Sequence, residues 1–152
     1  MAIQGGYIAA QNSKLTLNSG KSTQMSAKGL QGLTMPVGFT TQSAEASVIG
    51  TRIATKYATG ASYEDISTQA YFAPGDPSQA YMSNAARSGA QIQDMWFWLD
   101  GTDFAALDLI TDPGGYVMVG TFGSPKATKN DLYTFDVSIM IGGSHIMFDH
   151  HI

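Results

Sequence analysis

The sequence has no cysteine, which excludes disulfides, thiol catalysis and cysteine-based zinc or iron–sulfur sites. It is also short of charge. Asp, Glu, Lys and Arg make up 13% of its 152 residues, about half the ~25% of an ordinary soluble domain. The formal net charge is −4 and no run of lysine or arginine forms a phosphate-binding stripe, so tight nucleic-acid binding is not expected. No apolar stretch approaches membrane-spanning length. The N-terminal Met1-Ala2-Ile3-Gln4-Gly5-Gly6-Tyr7 lacks the basic and apolar segments of a signal peptide, and the expectation is a chain made and assembled in a cytoplasm.

Gly, Ser, Thr, Ala and Gln stand where the charge is missing, while hydrophobic residues remain at 43%. A polar but weakly charged surface gives a free monomer little repulsion from its neighbours. That composition suits a subunit whose surface ends up buried. The length fits one domain with tails.

Residues 1–33 are rich in Gly, Ser, Gln and Lys and read as an N-terminal arm or extended loop rather than core. From Thr34 onward apolar residues alternate: Met35, Val37 and Phe39, then Thr51, Ile53, Thr55 and Tyr57. A period of two marks strands. In Tyr63 to Ala73, Ile66, Thr68, Ala70 and Phe72 share one face, and Asp65, Ser67, Gln69 and Tyr71 the other. A helix is predicted over Pro77 to Ser88, with Asp76 as its cap, Pro77 at its first position, Gln79 completing a capping box and Gly89 ending it. Tyr81, Met82, Ala85 and Ala86 form its apolar side.

Gln91 to Leu99 is apolar on both parities and reads as a central strand covered on both faces, followed by a turn at Asp100-Gly101. Phe104 to Ile110 fits helix or strand. After the turn Asp112-Pro113-Gly114-Gly115, Tyr116 to Phe122 reads as a strand, and beyond a polar loop from Gly123 to Asp131 the alternation of Tyr133, Phe135, Val137, Ile139 and Ile141 marks another. The architecture expected is mainly β, packed sheets or a partly closed barrel with one flanking helix over residues 77–88. Its β-rich domain spans 34–143, and 144–152 form a C-terminal tail whose apolar residues need a docking partner.

Four groups of residues carry potential chemistry. Gly20-Lys21-Ser22-Thr23 matches the end of a phosphate-binding loop, but the glycine required five residues before the Gly-Lys pair is Leu15, and no strand precedes or helix follows it. His145, His150 and His151 with Asp149 are metal ligands by type, yet adjacent histidines in a tail lack the outer shell that holds ligands in place. Trp96 and Trp98 share a strand face that would suit a sugar, while Met95, Phe97 and Leu99 around them favour a core reading. Ten Asp and two Glu offer the pairs Glu64 with Asp65 and Asp103 with Asp108. Neighbours on a strand point to opposite faces, and neither pair has a histidine or nucleophile in its context. No catalytic residue, metal site or cofactor is assigned, and the chain does not read as an enzyme.

Four segments in order, Ala73-Pro74-Gly75-Asp76-Pro77-Ser78-Gln79, Trp96-Phe97-Trp98-Leu99-Asp100-Gly101-Thr102, Pro113-Gly114-Gly115-Tyr116-Val117-Met118-Val119-Gly120-Thr121-Phe122 and Lys129-Asn130-Asp131-Leu132-Tyr133-Thr134-Phe135-Asp136-Val137, carry a resemblance. With the pattern from about Ser22 to Gly143, the chain resembles the tail tube proteins of long-tailed bacteriophages, whose broad fold recurs in type VI secretion tubes. The resemblance implies a structural virion protein of the tail, assembled in the host bacterial cytoplasm. Hexameric rings of such proteins stack into a tube through which DNA passes without specific binding. Other tail proteins (tape measure, terminator, distal tail protein) are the implied partners. It further implies an acidic or neutral channel lining, for which Asp65 and Asp136 are the nominees. Intersubunit contacts are expected from Gly5 to Lys21, the Gly123 to Asp131 loop and His145 to Ile152, with Tyr7, Leu15, Lys21, Lys126, Lys129, Ile146 and Phe148 as nominees, so that removal of the first twenty residues blocks polymerisation without unfolding.

Two other readings fit the same strands. A carbohydrate- or receptor-binding β-sandwich would expose Trp96 and Trp98. A secretion-system tube or tail terminator subunit would differ in whether its rings stack indefinitely.

Overall fold

The computed structural model describes residues 13–17, 25–46, 50 and 55–150. Its elements run β1 (Lys14–Leu17), β2 (Met25–Ser26), β3 (Phe39–Ala46), β4 (Thr55–Tyr63), β5 (Ile66–Tyr71), α1 (Pro77–Ser88), β6 (Met95–Trp98), β7 (Asp103–Leu107), β8 (Val117–Phe122), β9 (Thr134–Ile141) and β10 (Ile146–His150). They form a five-stranded sheet in the order β10-β7-β6-β1-β2, a three-stranded sheet β5-β9-β8 and a two-stranded ribbon β3-β4. All pairings are antiparallel. The chain is thus mainly β with one helix, and its sheets pack together rather than closing into a barrel among the described residues.

The core lies between the two larger sheets. Leu15, Leu17, Met95, Phe97, Ala105 and Leu107 come from one, and Ile66, Ala70, Val117, Val119, Phe135, Val137 and Ile139 from the other. Met82 and Ala85 of α1 close the cluster. Phe135, with no exposure, meets Phe72 edge-on at 6.2 Å and Phe122 at 4.5 Å between ring centroids. A large side chain buried this fully contributes roughly 1.5–3 kcal/mol. On β9 the alternation decides which residues these are: Phe135, Val137 and Ile139 point inward while Asp136 and Met140 stay exposed.

The five-stranded sheet is apolar on its second face as well. Trp98, Phe104 and Ala106 are buried there with Trp96 and Met147 packed against them. Trp96 lies flat on Phe104, 4.1 Å between centroids and 2° from parallel. The Trp98 indole N–H, which burial would strand without a partner, donates to Thr16 Oγ1 at 2.8 Å. The coverage expected on both faces of Gln91 to Leu99 holds for Met95–Trp98, but the strand is confined to those four residues, Ile92 making only an isolated bridge to Val117. Asp100 shapes the turn into β7, its Oδ1 accepting from the backbone N–H of Thr102 and Asp103 at 2.7 and 2.8 Å.

Helix α1 occupies the predicted span. Asp76 Oδ2 accepts from the backbone N–H of Ser78 and Gln79 at 3.1 and 3.2 Å, and Gly89 takes the left-handed conformation (φ 67°) that ends the helix. Gln79 departs from the expected capping box. The N–H it would have satisfied, that of Asp76, donates instead to the Ala73 carbonyl at 3.2 Å. The Gln79 side chain turns inward, where its Oε1 accepts from the Ala73 N–H at 2.9 Å and its Nε2 donates to the Lys28 and Tyr71 carbonyls at 3.0 and 2.8 Å.

The Ser78 hydroxyl, followed by the backbone N–H groups, holds the Asp76 carboxyl below its ordinary range. Its contribution to stability is therefore present above the ordinary carboxylate pKa and lost as pH falls through the depressed folded value. Asp76→Ala is expected to cost about 0.5–2 kcal/mol, read by urea unfolding near neutrality. The difference from wild type should shrink in acid, and a difference constant with pH would contradict the capping role.

Three sequence expectations change. Residues 1–33 are not all arm, because β1 sits between β6 and β2 and sends Leu15 and Leu17 into the core, at 1% and 0% exposure. Of the expected C-terminal tail 144–152, Ile146–His150 is instead a strand, pairing with β7 as β10. The strand foreseen from Thr34 begins only at Phe39, after a turn at Pro36-Val37. Phe104 to Ile110, open between helix and strand, is strand as far as Leu107.

Candidate assembly surface

Antiparallel alternation gives the β5-β9-β8 sheet one apolar and one polar face. Outward stand Ser67, Gln69 and Tyr71 of β5 and Thr134, Asp136, Ser138 and Met140 of β9, all exposed or half-buried. Asp136 is the centre of this face. Its Oδ1 accepts from Gln69 Nε2 at 3.2 Å, and its Oδ2 lies 3.9 Å from Lys126 Nζ. Both ion-pair partners are more than half exposed, a setting in which such a pair is worth roughly 0–1 kcal/mol. Asp65 stands exposed in the corner between β4 and β5, in step with Ser67 and Gln69 but outside the strand.

At the end of this sheet where β5 finishes, an open groove of about 830 Å³ runs between the strand edge and the 126–132 loop, with Gln31, Tyr71, Lys126, Asn130 and Leu132 among its walls. Lys126 is anchored by two backbone hydrogen bonds with Thr134, both 2.9 Å. Lys129 is exposed in the turn that Asn130 completes with φ 72°, a conformation asparagine adopts more readily than most residues. Leu132 and Tyr133 beside them are 69% and 58% exposed.

Ribbon β3-β4 is unlike the rest of the molecule. Every residue of β3 is exposed, and on β4 the described side chains are exposed apart from half-buried Tyr63. A bulge at Gln42/Ser43 twists the pair. Attachment to the body is confined to its base. There Glu64 N–H donates to the Gly38 carbonyl at 2.9 Å, Tyr63 Oη donates to the Ser144 carbonyl at 3.5 Å, and the Phe39 ring stacks on Tyr63 at 4.6 Å. A two-stranded ribbon exposed on both faces is marginal in water and is stabilised by whatever covers it.

The remaining nominated residues fall in separate places. Leu15 is buried in the subunit's own core and offers no surface to a neighbour. Ile146 is half-buried against that core, and Phe148 is 41% exposed on β10. Tyr7 and Lys21, together with the Gly20 to Thr23 phosphate-loop match, His151 and the side chain of His150, lie outside the described residues.

Asp112, Ser144 and His145 do meet. Ser144 N–H and Oγ each donate to Asp112 Oδ2 at 2.9 Å, and His145 Nδ1 is 2.8 Å from Ser144 Oγ. These are the residue types of a hydrolytic triad in the wrong order, because the serine stands between acid and histidine and its hydroxyl donates to the carboxylate, leaving no base to take its proton. Those Ser144 donors hold Asp112 below its ordinary pKa, and the Thr111 hydroxyl and N–H do the same for Asp108. The contacts fasten the turn after β7 to the start of β10.

No protein-family model and no curated protein matches the sequence. Solved structures share the fold. A chain in the virion of a native gene transfer agent particle superposes with a TM-score of 0.61 at 9% identity, over 97% of this chain and 99% of that one. A chain in the tail of an empty gene transfer agent particle, determined with C6 symmetry, gives 0.60 at 10% identity over 97% and 99%. A chain in the sheath/tube terminator of an extracellular contractile injection system gives 0.57 at 10% identity over 95% and 98%.

Proposed function

We propose that this chain is a structural subunit of a phage-type tail tube, forming rings, expected to be hexamers, that stack around a central channel through which DNA reaches the host. The observation that carries the reading is its near end-to-end likeness in fold to a chain of a C6-symmetric tail. The exposed ribbon supports it, since a feature whose described residues bury little beyond Tyr63 in their own subunit is accounted for by a neighbour. So does the sheet topology, because β8 beyond Val117 pairs only with β9, and β3 only with β4, among the described residues. Such open edges invite pairing, and a ring is one way to satisfy them. The buried Trp98 and the Trp96 ring already stacked on Phe104 leave little for a sugar-binding reading, and the Asp112-Ser144-His145 geometry gives catalysis no nucleophile.

In this reading the polar face of β5-β9-β8 lines the channel, with Asp65 and Asp136 contributing negative charge that repels phosphate. Because Lys126 stands beside Asp136, the lining is closer to neutral than acidic. Lys126, Lys129, Ile146 and Phe148 belong to contacts between subunits. Tape measure, terminator and distal tail proteins are the further partners, with assembly in the host bacterial cytoplasm and residence in the virion tail. Residues 1–12, which precede β1, are the part of the arm that can be removed without taking Leu15 and Leu17 from the core.

Replacing Asp136, exposed on the face of β9, by lysine is expected to leave tubes intact and to slow DNA delivery by particles that carry it. Delivery at the wild-type rate from intact tubes would count against the lining. A tail-terminating ring is the second reading, favoured by the likeness to a chain in a tube terminator structure. It predicts single rings where a tube subunit gives long stacks.

A further inference from the structure

The two ends of the β5-β9-β8 sheet, marked on β9 by Thr134 and Ile141 and so about 24 Å apart, are chemically unlike. At one end Glu64 and Asp65 stand exposed in the β4-β5 corner. Tyr63 Oη reaches the Ser144 carbonyl and Ser144 holds Asp112, so the turn carrying Asp108 and Asp112 lies at this end too. His145 is the nearby base, and among the described residues no lysine or arginine forms an ion pair with these four carboxylates. Phe39, 59% exposed on the Tyr63 ring, adds an apolar patch.

At the other end the β8-β9 loop carries Lys126 and Lys129 against Asp131, whose carboxylate is taken up by the Thr128 hydroxyl. The long 3.9 Å pair with exposed Asp136 leaves the Lys126 ammonium largely in solvent. Leu132 and Tyr133 supply the matching apolar surface.

From this we infer that copies of the chain in successive rings meet head to tail, the Glu64/Asp65 end of one on the Lys126/Lys129 loop of the next. The inference rests on the tube reading and names the residues that meet between its rings. Carboxylates on lysines attract, whereas turning every second ring over sets carboxylates on carboxylates. A contact between unlike ends repeats without closing, which is the condition for a filament. It also makes stacking an electrostatic event exposed to solvent, screened as the Debye length falls from about 10 Å at 0.1 M salt to 3 Å at 1 M.

The test is a charge swap scored by sedimentation and electron microscopy of the full chain. Lys126→Glu with Lys129→Glu, or Glu64→Lys with Asp65→Lys, should each leave rings intact and raise the concentration needed for stacking by about tenfold or more, each pair contributing a little and the ring repeating it. Combining all four substitutions should restore stacking. If a reversed variant folds poorly, Lys126→Ala with Lys129→Ala serves instead and should weaken stacking while flattening its salt dependence. Normal stacking by the reversed pairs, or intact rings that fail to stack when all four changes are combined, would overturn the inference while leaving the tube reading in place. Wild-type protein that never forms rings would remove that reading itself.

Discussion

Replacing Gln79 by leucine is expected to destabilise this fold by on the order of 3–5 kcal/mol, a large share of the 5–15 kcal/mol that holds a domain of this size together. The side chain is 3% exposed and serves three backbone groups at once, the Ala73 N–H and the carbonyls of Lys28 and Tyr71. Those groups belong to the segment after β2, the end of β5 and the approach to α1, so one amide joins three parts of the chain. Leucine keeps most of the volume and none of the hydrogen bonds, leaving three partly buried backbone groups to lose the partner that the amide gave them. Glutamate would keep an acceptor for Ala73 but set a carboxylate against two carbonyls, so it should fare little better. Urea unfolding should show a lower midpoint with an unchanged slope. A loss below about 1 kcal/mol would mean that water or a backbone shift takes over these bonds.

The second large effect concerns assembly rather than folding. Joining Thr40 to Ser62, which face each other across the ribbon, through Asn-Gly gives a tight hairpin of a kind these residues favour. This removes the projecting part of β3-β4. Since β3 is exposed throughout and the described residues that are removed bury little in the body, unfolding midpoints should move by no more than a few degrees, the shift that about 1 kcal/mol produces in a domain of this size. Sedimentation should meanwhile show higher assemblies replaced by small species. A shortened protein that assembles like wild type would show that the ribbon is not an intersubunit element. One that unfolds would show that it belongs to the subunit's core.

The parts of this fold that were legible in the sequence are those whose signal is local. Asp76, Pro77 and Gly89 each satisfy a specific backbone requirement, so α1 could be placed to the residue. On β9, strict alternation separated the core side of the sheet from the polar side, and the apolar run from Gln91 to Leu99 announced a strand covered on both faces, although only Met95–Trp98 of it is strand. β1 was hidden because four residues in a polar stretch are too few for a periodic signal, and its place between β6 and β2 depends on partners some eighty residues away. For β10 the partner β7 lies about forty residues back, also beyond any local signal. Gln79 misled because a capping box and an inward-turned amide begin from the same Asp-x-x-Gln spacing. The ribbon's exposure was illegible for a different reason: Thr, Ser, Ala and Gln fit a wet face and a face awaiting a neighbour equally well. For the same reason Asp136 could be set on a polar face, but its contact with Lys126 arises only when the loop folds back onto β9.

The most direct measurement of the central claim is a negative-stain micrograph of the purified chain at increasing concentration. Tubes or stacked rings with a central channel are the predicted result. Dispersed monomers at every concentration would contradict it.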